Sequence, residues 1–200
     1  MSSANARPRA LKSAPSPEAS DVELVALALH GDSAAKEQIF RRYAPGIMRM
    51  VDRLLRDPTE AEDVVQHTFE VAFARLDQLA VTGSLRNWLL QIAVRRCHRV
   101  FRRQRLLRVL GFQSLHEGGS LLELAAAGLS GEQRAELALF DVALSRLPHE
   151  QRVIWMLRHV EDLSLEECAS ACGCSLATVK RRLRAADEGV RAHVGEAHGR

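Results

Sequence analysis

The chain has 200 residues, 46% of them apolar, with 28 Lys and Arg against 25 Asp and Glu, a balance that suits one or two small folded domains in water. No apolar run approaches the roughly 20 residues needed to cross a bilayer, and the opening residues hold no apolar signal core, so the protein is expected to stay in the cytoplasm. Aromatics at 4% argue against a β-sandwich, and four unevenly placed cysteines do not form a disulfide framework.

Residues 1–20 are rich in Ser, Ala and Pro and read as a disordered leader. From Asp21 to Asp77 the apolar residues recur at helical spacing: Leu24, Val25, Leu27 and Ala28, then Ile39, Phe40, Tyr43, Ile47, Val51, Leu54 and Leu55, with Gly31 and Pro45-Gly46 as punctuation. Asp57, Pro58 and Glu60 together predict a helix start with a capping box. That helix runs to about Leu76 and buries Ala61, Val64, Val65, Thr68, Phe69, Ala72, Phe73 and Leu76. Glu60, Glu62, Asp63, Gln66, His67 and Glu70 lie outside this stripe. A loop from Gln78 to Gly83 follows, and Ser84 caps a helix of about 20 residues that buries Leu85, Trp88, Leu89, Ile92, Ala93, Cys97, Val100 and Phe101. Its outer face carries Gln91, Arg95, His98, Arg99 and Arg102.

Gln104 to Gly131 is glycine-interrupted and reads as a linker, although Leu106, Leu107, Val109, Leu110 and Phe112 are too apolar for a freely solvated tether. A second helical domain follows. One helix ends before Leu147-Pro148, and the next buries Val153, Ile154, Leu157 and Val160. Ser164 with Glu167 forms a capping box, Leu165, Cys168, Ala169 and Cys172 line a short helix, and Gly173 supplies the positive φ of a turn. Ser175 caps a last helix with Leu176, Val179, Leu183 and Ala186 inside, completing a helix-turn-helix.

The near-neutral total hides four charge blocks. Asp57 to Asp77 carries −5, Gln78 to His116 carries +8 from eight Arg, Glu117 to Cys174 carries −6, and Ser175 to Ala186 carries +4. Eight arginines without a counter-charge in their own segment point to a polyanion, and the outward side chains of the last helix, Ala177, Thr178, Lys180, Arg181 and Arg184, are placed for base edges and phosphates in a major groove. The acids Glu62, Asp63 and Glu70, which share a face with Gln66, would repel DNA, so that face suits a solvated surface or a protein partner. Cys168, Cys172 and Cys174 match no common zinc spacing with His159 or His198 and read as core filling. No Gly-rich phosphate loop, HExxH or nucleophile elbow is present, so no catalytic residue, metal or cofactor is expected.

DPTEAEDVVQHTFEVAFARLDQL with SLRNWLLQIAVRRCHRVFRR resembles region 2 of a bacterial sigma factor, and ALSRLPHEQRVIWMLRHVEDLSLEECASACGCSLATVKRRLRAADEGVR resembles region 4. The short connection without a region 3 domain is similar to the extracytoplasmic-function group of the sigma-seventy family. The resemblance implies an all-α protein with a region 2 domain over residues 21–105, a linker over 106–131, a region 4 domain over 132–194 and a tail over 195–200. It implies docking on the β′ clamp helices of RNA polymerase core through Asp63, Val64, Gln66 and Phe69, and a region 4 contact with the β flap. It further implies reading and opening of the minus 10 promoter element by Asn87, Arg95, Arg96 and Arg99, and reading of the minus 35 element by Thr178, Lys180, Arg181 and Arg184. An anti-sigma factor is the regulatory partner such a protein commonly has. A free-standing helix-turn-helix regulator, or more distantly a DNA recombinase, is the alternative that the motifs leave.

Overall fold

The computed structural model describes residues 19–81, 84–110 and 130–198. The leader up to residue 18, Thr82 and Gly83, most of the linker and the last two residues of the tail lie outside them. Eight α-helices and one 3-10 segment, with no strand, make up the described residues, as an all-α chain requires. No helix among the described residues is long and apolar enough to cross a membrane.

Two compact units divide the chain, residues 1–42 and 43–200. In the first, α1 (Asp21–Leu29) starts at Ser20, whose hydroxyl accepts from the Glu23 amide while the Glu23 carboxylate accepts from the Ser20 backbone. Two of the four amides that a helix start leaves unpaired are satisfied this way. Gly31 turns the chain at φ 84°, and the Asp32 carboxylate accepts from Ala34 at 2.8 Å at the start of α2 (Ser33–Leu55). Arg42 anchors this unit by donating to Asp21 and to the Ala19 carbonyl, each at 2.7 Å.

Pro45 and Gly46 were expected to interrupt the chain, yet α2 runs through both. Proline removes one ladder hydrogen bond, but Ala44, Ile47, Met50, Val51, Leu54 and Leu55 are all buried, and that continuous stripe holds the helix. The turn out of α2 places Arg56 at φ 56°, a conformation that costs a side-chain-bearing residue about 1–2 kcal/mol.

In the second unit, α3 (Pro58–Ala74) begins where expected, with Asp57 accepting from the Glu60 amide at 3.2 Å. The return bond of the expected capping box is replaced, because the Glu60 carboxylate pairs with Arg103 instead. Ala61, Val64, Val65, Thr68, Phe69, Ala72 and Leu76 are buried as the periodicity requires, and Phe73 is half-buried. Much of the expected loop is a 3-10 segment, Leu76–Val81, which buries Leu79. α4 (Leu85–Val109) then packs against α3. It buries Leu90 and Val94 besides the expected residues, of which only Ile92 is half-buried, and it continues four residues past Arg105 into the expected linker. Leu106, Val109 and Leu110 remain exposed there.

The second half of this unit is α5 (Gly131–Arg146), α6 (His149–His159), α7 (Leu165–Cys172) and α8 (Leu176–His198). α8 packs against α5, α6 and α7. Its Gly189 permits that approach: a Cβ there would lie 2.7 Å from the Leu147 Cδ2. Val153, Ile154 and Leu157 are buried, but Val160 is 39% exposed. The helix has ended at His159, so the next residue turns outward, and Leu163 takes the inner position.

Gly173 closes α7 in the left-handed region at φ 63°, with its amide and that of Cys174 directed at carbonyls of the last turn. A Cβ at Gly173 would meet nothing within 4 Å, so only backbone strain opposes a side chain. Gly173→Ala is therefore expected to cost about 1–2 kcal/mol in urea unfolding, with little change in the folded spectrum.

Candidate nucleic-acid interface

The acidic face of α3 follows from its helical phase. With Ala61, Val64 and Val65 turned inward, Glu62, Asp63, Gln66 and Glu70 fall on the opposite side and are exposed. Gln66 donates to Glu70 at 2.9 Å, one turn further on, which orders part of the face. Of the four residues expected to dock on polymerase, Asp63 and Gln66 are therefore accessible. Val64 is 0% and Phe69 3% exposed, so these two belong to the core and can only orient the helix.

On α4, Arg95, Arg99 and Arg102 are exposed at spacings of four and three residues and so share one face. Arg96 is half-buried, one position round the helix, and its Nε has no hydrogen-bond partner among the described residues. Trp88 is buried, as its place in the stripe predicts. Asn87, expected to read DNA, is already engaged: its side-chain amide donates to the Glu167 carboxylate of α7. Beside it, Arg86 donates to the Glu161 carboxylate at 2.5 Å and to the Glu161 carbonyl at 3.0 Å. Arg56 adds a 3.3 Å contact with Asp141 of α5.

The acidic block before the last helix, which the sequence left without a partner, thus faces the arginine-rich helix of its own chain. This corrects the expectation that the α4 arginines have no counter-charge: Arg86 and Arg103 both have one. The charge alternation was the available signal, but it could not show that Glu161 and Glu167 would meet residues about 80 positions earlier.

The helix-turn-helix is built by short-range bonds. Ser164 and Glu167 cap α7 reciprocally, at 3.1 and 2.7 Å. At the start of α8 the Ser175 hydroxyl accepts from the Thr178 amide at 3.2 Å and bonds the Thr178 hydroxyl at 2.9 Å. Val179, Ala186 and Val190 hold the inner side of α8, leaving Lys180, Arg181 and Arg184 exposed and Thr178 half-buried. Arg184 makes a solvent-exposed contact with Glu188, 3.3 Å away on the next turn. Arg182, one position off this face, is turned inward and pairs with Glu150.

Cys168 is buried, whereas Cys172 and Cys174 are half-buried. Burial raises the Cys168 thiol to about 11 and the Cys172 thiol to about 12, leaving very little nucleophilic thiolate near neutral pH. Among the described residues no three His, Cys, Asp or Glu side chains are grouped to hold a metal ion.

Where α4 meets α6, the Phe101 ring lies 4.7 Å from the His149 ring, and the Arg152 guanidinium sits 5.9 Å from the Phe101 ring centre. His98 and His149 titrate below the ordinary imidazole value of 6.5, chiefly through burial. His149, Arg182 and Arg102 depress His98 further, as Arg152, Arg182 and Arg105 do His149, while Glu150 opposes both. This packed arrangement therefore binds fewer protons than an opened one. Its stability is complete above pH 6.5 and is lost as pH falls below that value toward the depressed values of the two rings. Glu161 has the opposite sign, because burial raises its carboxyl above 4.5 and its protonation favours closure. Energy transfer between labels on α4 and α8 is accordingly expected to fall on acidification from about pH 7.5 to about 5.5, and a flat profile would refute the imidazole effect.

Two family models match the chain: Sigma-70 region 2 over residues 39–106 and Sigma-70 region 4 over residues 137–186. The RNA polymerase sigma-E factor of Streptomyces avermitilis is 31% identical over 157 residues, 78% of this chain and 83% of that protein. Two solved structures share the fold. One is the sigma factor RpoE in complex with the anti-sigma factor NepR from Bartonella quintana, with a TM-score of 0.65 at 24% identity, covering 80% of this chain and 96% of that one. The other is CnrH in complex with the cytosolic domain of CnrY, with a TM-score of 0.60 at 22% identity, covering 86% and 96%. With both regions matched in order, a relative above 30% identity and the helix-turn-helix in place, the chain belongs to the extracytoplasmic-function group of the sigma-70 family of RNA polymerase sigma factors.

Proposed function

We propose that this sigma factor binds RNA polymerase core through the exposed α3 face at Asp63 and Gln66, and carries promoter DNA on two basic faces. Arg95 and Arg99 of α4, with Asn87 and Arg96 once they are released, take the minus 10 element as it opens. Thr178, Lys180, Arg181 and Arg184 of α8 take the minus 35 element, and the region 4 domain also meets the β flap. The observation that carries the reading is the pair of exposed arginine rows, Arg95 with Arg99 and Arg181 with Arg184, each backed by a buried apolar stripe on its own helix. Two tethered DNA contacts and a core contact reinforce one another by effective concentration.

Residues 21–105 and 132–194 would act as separate functional domains joined by the stretch over 106–131, in the cytoplasm and without a reaction of their own. An anti-sigma factor is the regulatory partner, by analogy with the RpoE complex with NepR. Run-off transcription on genomic fragments, with core polymerase and with or without this protein, tests the reading. Specific new start sites are expected, and core binding without any gained start site would overturn it. Arg184→Ala should cost about 1–3 kcal/mol at promoters that match the upstream element if its guanidinium bridges a guanine. A uniform loss across all promoters would make it a phosphate contact instead.

A further inference from the structure

The region 2 and region 4 halves of the second unit enclose a cleft of about 450 Å³ whose chemistry goes beyond the promoter reading. Arg95, Arg99 and Arg102 line one wall from α4, Arg182 lines the other from α8, and His98 and His149 stand between them. The only carboxylate among the lining residues, Glu150, is already paired with Arg182. Four guanidiniums against one carboxylate leave a net formal charge of +3 in a cleft sized for a small molecule. His98 adds a buried Nε2 with no partner among the described residues.

The spacing selects the ligand. Arg102 lies seven positions after Arg95, with Arg99 between them on the same helix face, a span of about 10 Å at 1.5 Å per residue. A run of planar forks at that spacing suits a chain of linked phosphates, each able to take a charge-assisted, two-point contact. A duplex is too large for a cleft of about 450 Å³, whereas an extended oligophosphate is not. Arg102 and Arg182 also take no part in the proposed DNA contacts, although both line the cleft.

We propose that this cleft binds a small oligophosphate anion, inorganic or nucleoside-borne, which clamps α4 against the helix-turn-helix. Its regulatory meaning rests on the promoter reading above: Arg95 and Arg99 cannot hold the ligand and the minus 10 element together, so the bound anion competes with DNA.

The test uses the full chain alone, without polymerase or promoter, so its failure and failure of the sigma reading are separable. Calorimetric titration with sodium tripolyphosphate at physiological ionic strength should show saturable binding, with sodium sulfate as the control. Magnesium-free ATP is the second arm: tighter binding than tripolyphosphate assigns the nucleoside-borne source, and equal or weaker binding assigns the inorganic one. Arg102→Gln, alone and with Arg182→Gln, should weaken binding by about tenfold or more. Arg41→Gln, an exposed site on α2, should not. Because Cys174 lines the cleft, tripolyphosphate should also slow its alkylation, while the buried Cys97 stays unreactive throughout. Absence of saturable binding, equal loss in Arg41→Gln, or an unprotected Cys174 would overturn the proposal.

Discussion

Replacing Asp63 by Lys should lower affinity for RNA polymerase core by about a hundredfold, ~2.7 kcal/mol, while leaving the fold intact. Asp63 is exposed on α3, flanked by Glu62 and with Gln66 and Glu70 on the same side, whereas its neighbours Val64 and Val65 carry the packing. The substitution therefore changes the sign of charge at the centre of the face without opening a cavity. A basic partner surface would lose an attraction and gain a repulsion. Most of the loss should appear in the association rate and shrink as salt is added, because exposed charges are screened within about 10 Å at 0.1 M salt. Val64→Ala provides the contrast. Removing part of a fully buried side chain should lower stability, typically by about 1 kcal/mol or more, and reduce core binding only through loss of folded protein. Unchanged core affinity in Asp63→Lys, with a normal unfolding midpoint, would remove α3 as the docking face.

The sequence was most informative where a local rule governs the outcome. The α3 stripe, the Ser164–Glu167 box, the Gly173 turn and the Ser175 cap each depend on residues within one or two turns, and all are found. It was least informative where distant residues decide. Pro45-Gly46 looks like a break, but the buried stripe around it outweighs one missing hydrogen bond. Glu60 looks like a capping carboxylate until Arg103, one helix away, competes for it. Val64 and Phe69 illustrate a different failure: the resemblance carries over positions without saying which are accessible, whereas the helical periodicity places both in the buried stripe. The cleft has no local signature at all. Its arginines were visible as an α4 face, but Arg182 looks like one more base in a basic helix until the inner stripe of α8 turns it toward Glu150.

Arg86→Glu should detach the α6–α7 corner from α4. In the native arrangement Arg86 makes two bonds to Glu161, whose side chain is only 12% exposed, and Asn87 alongside it binds Glu167. The reversal sets a carboxylate against a partly buried carboxylate and removes both Arg86 bonds. That costs about 2–4 kcal/mol, nearer the lower figure because the Arg86 side chain is 42% exposed and water screens it. Even ~2 kcal/mol shifts a closed-to-open ratio by roughly thirtyfold. Polar contacts offset little of the loss, since Arg56–Asp141 is long at 3.3 Å and, among the described residues, the buried Nε atoms of Arg53, Arg96 and Arg152 have no hydrogen-bond partner. Small-angle scattering should show a larger radius of gyration, and the freed Asn87 should raise affinity for single-stranded minus 10 DNA. Glu161→Arg in the Arg86→Glu background should restore the compact form by re-forming the pair in reverse. If the reversal leaves scattering unchanged, or if the double exchange fails to recover compactness, the Arg86–Glu161 pair is not what holds region 4 on region 2, and closure must rest on the packing of α4 against α7 and on Phe101 against His149.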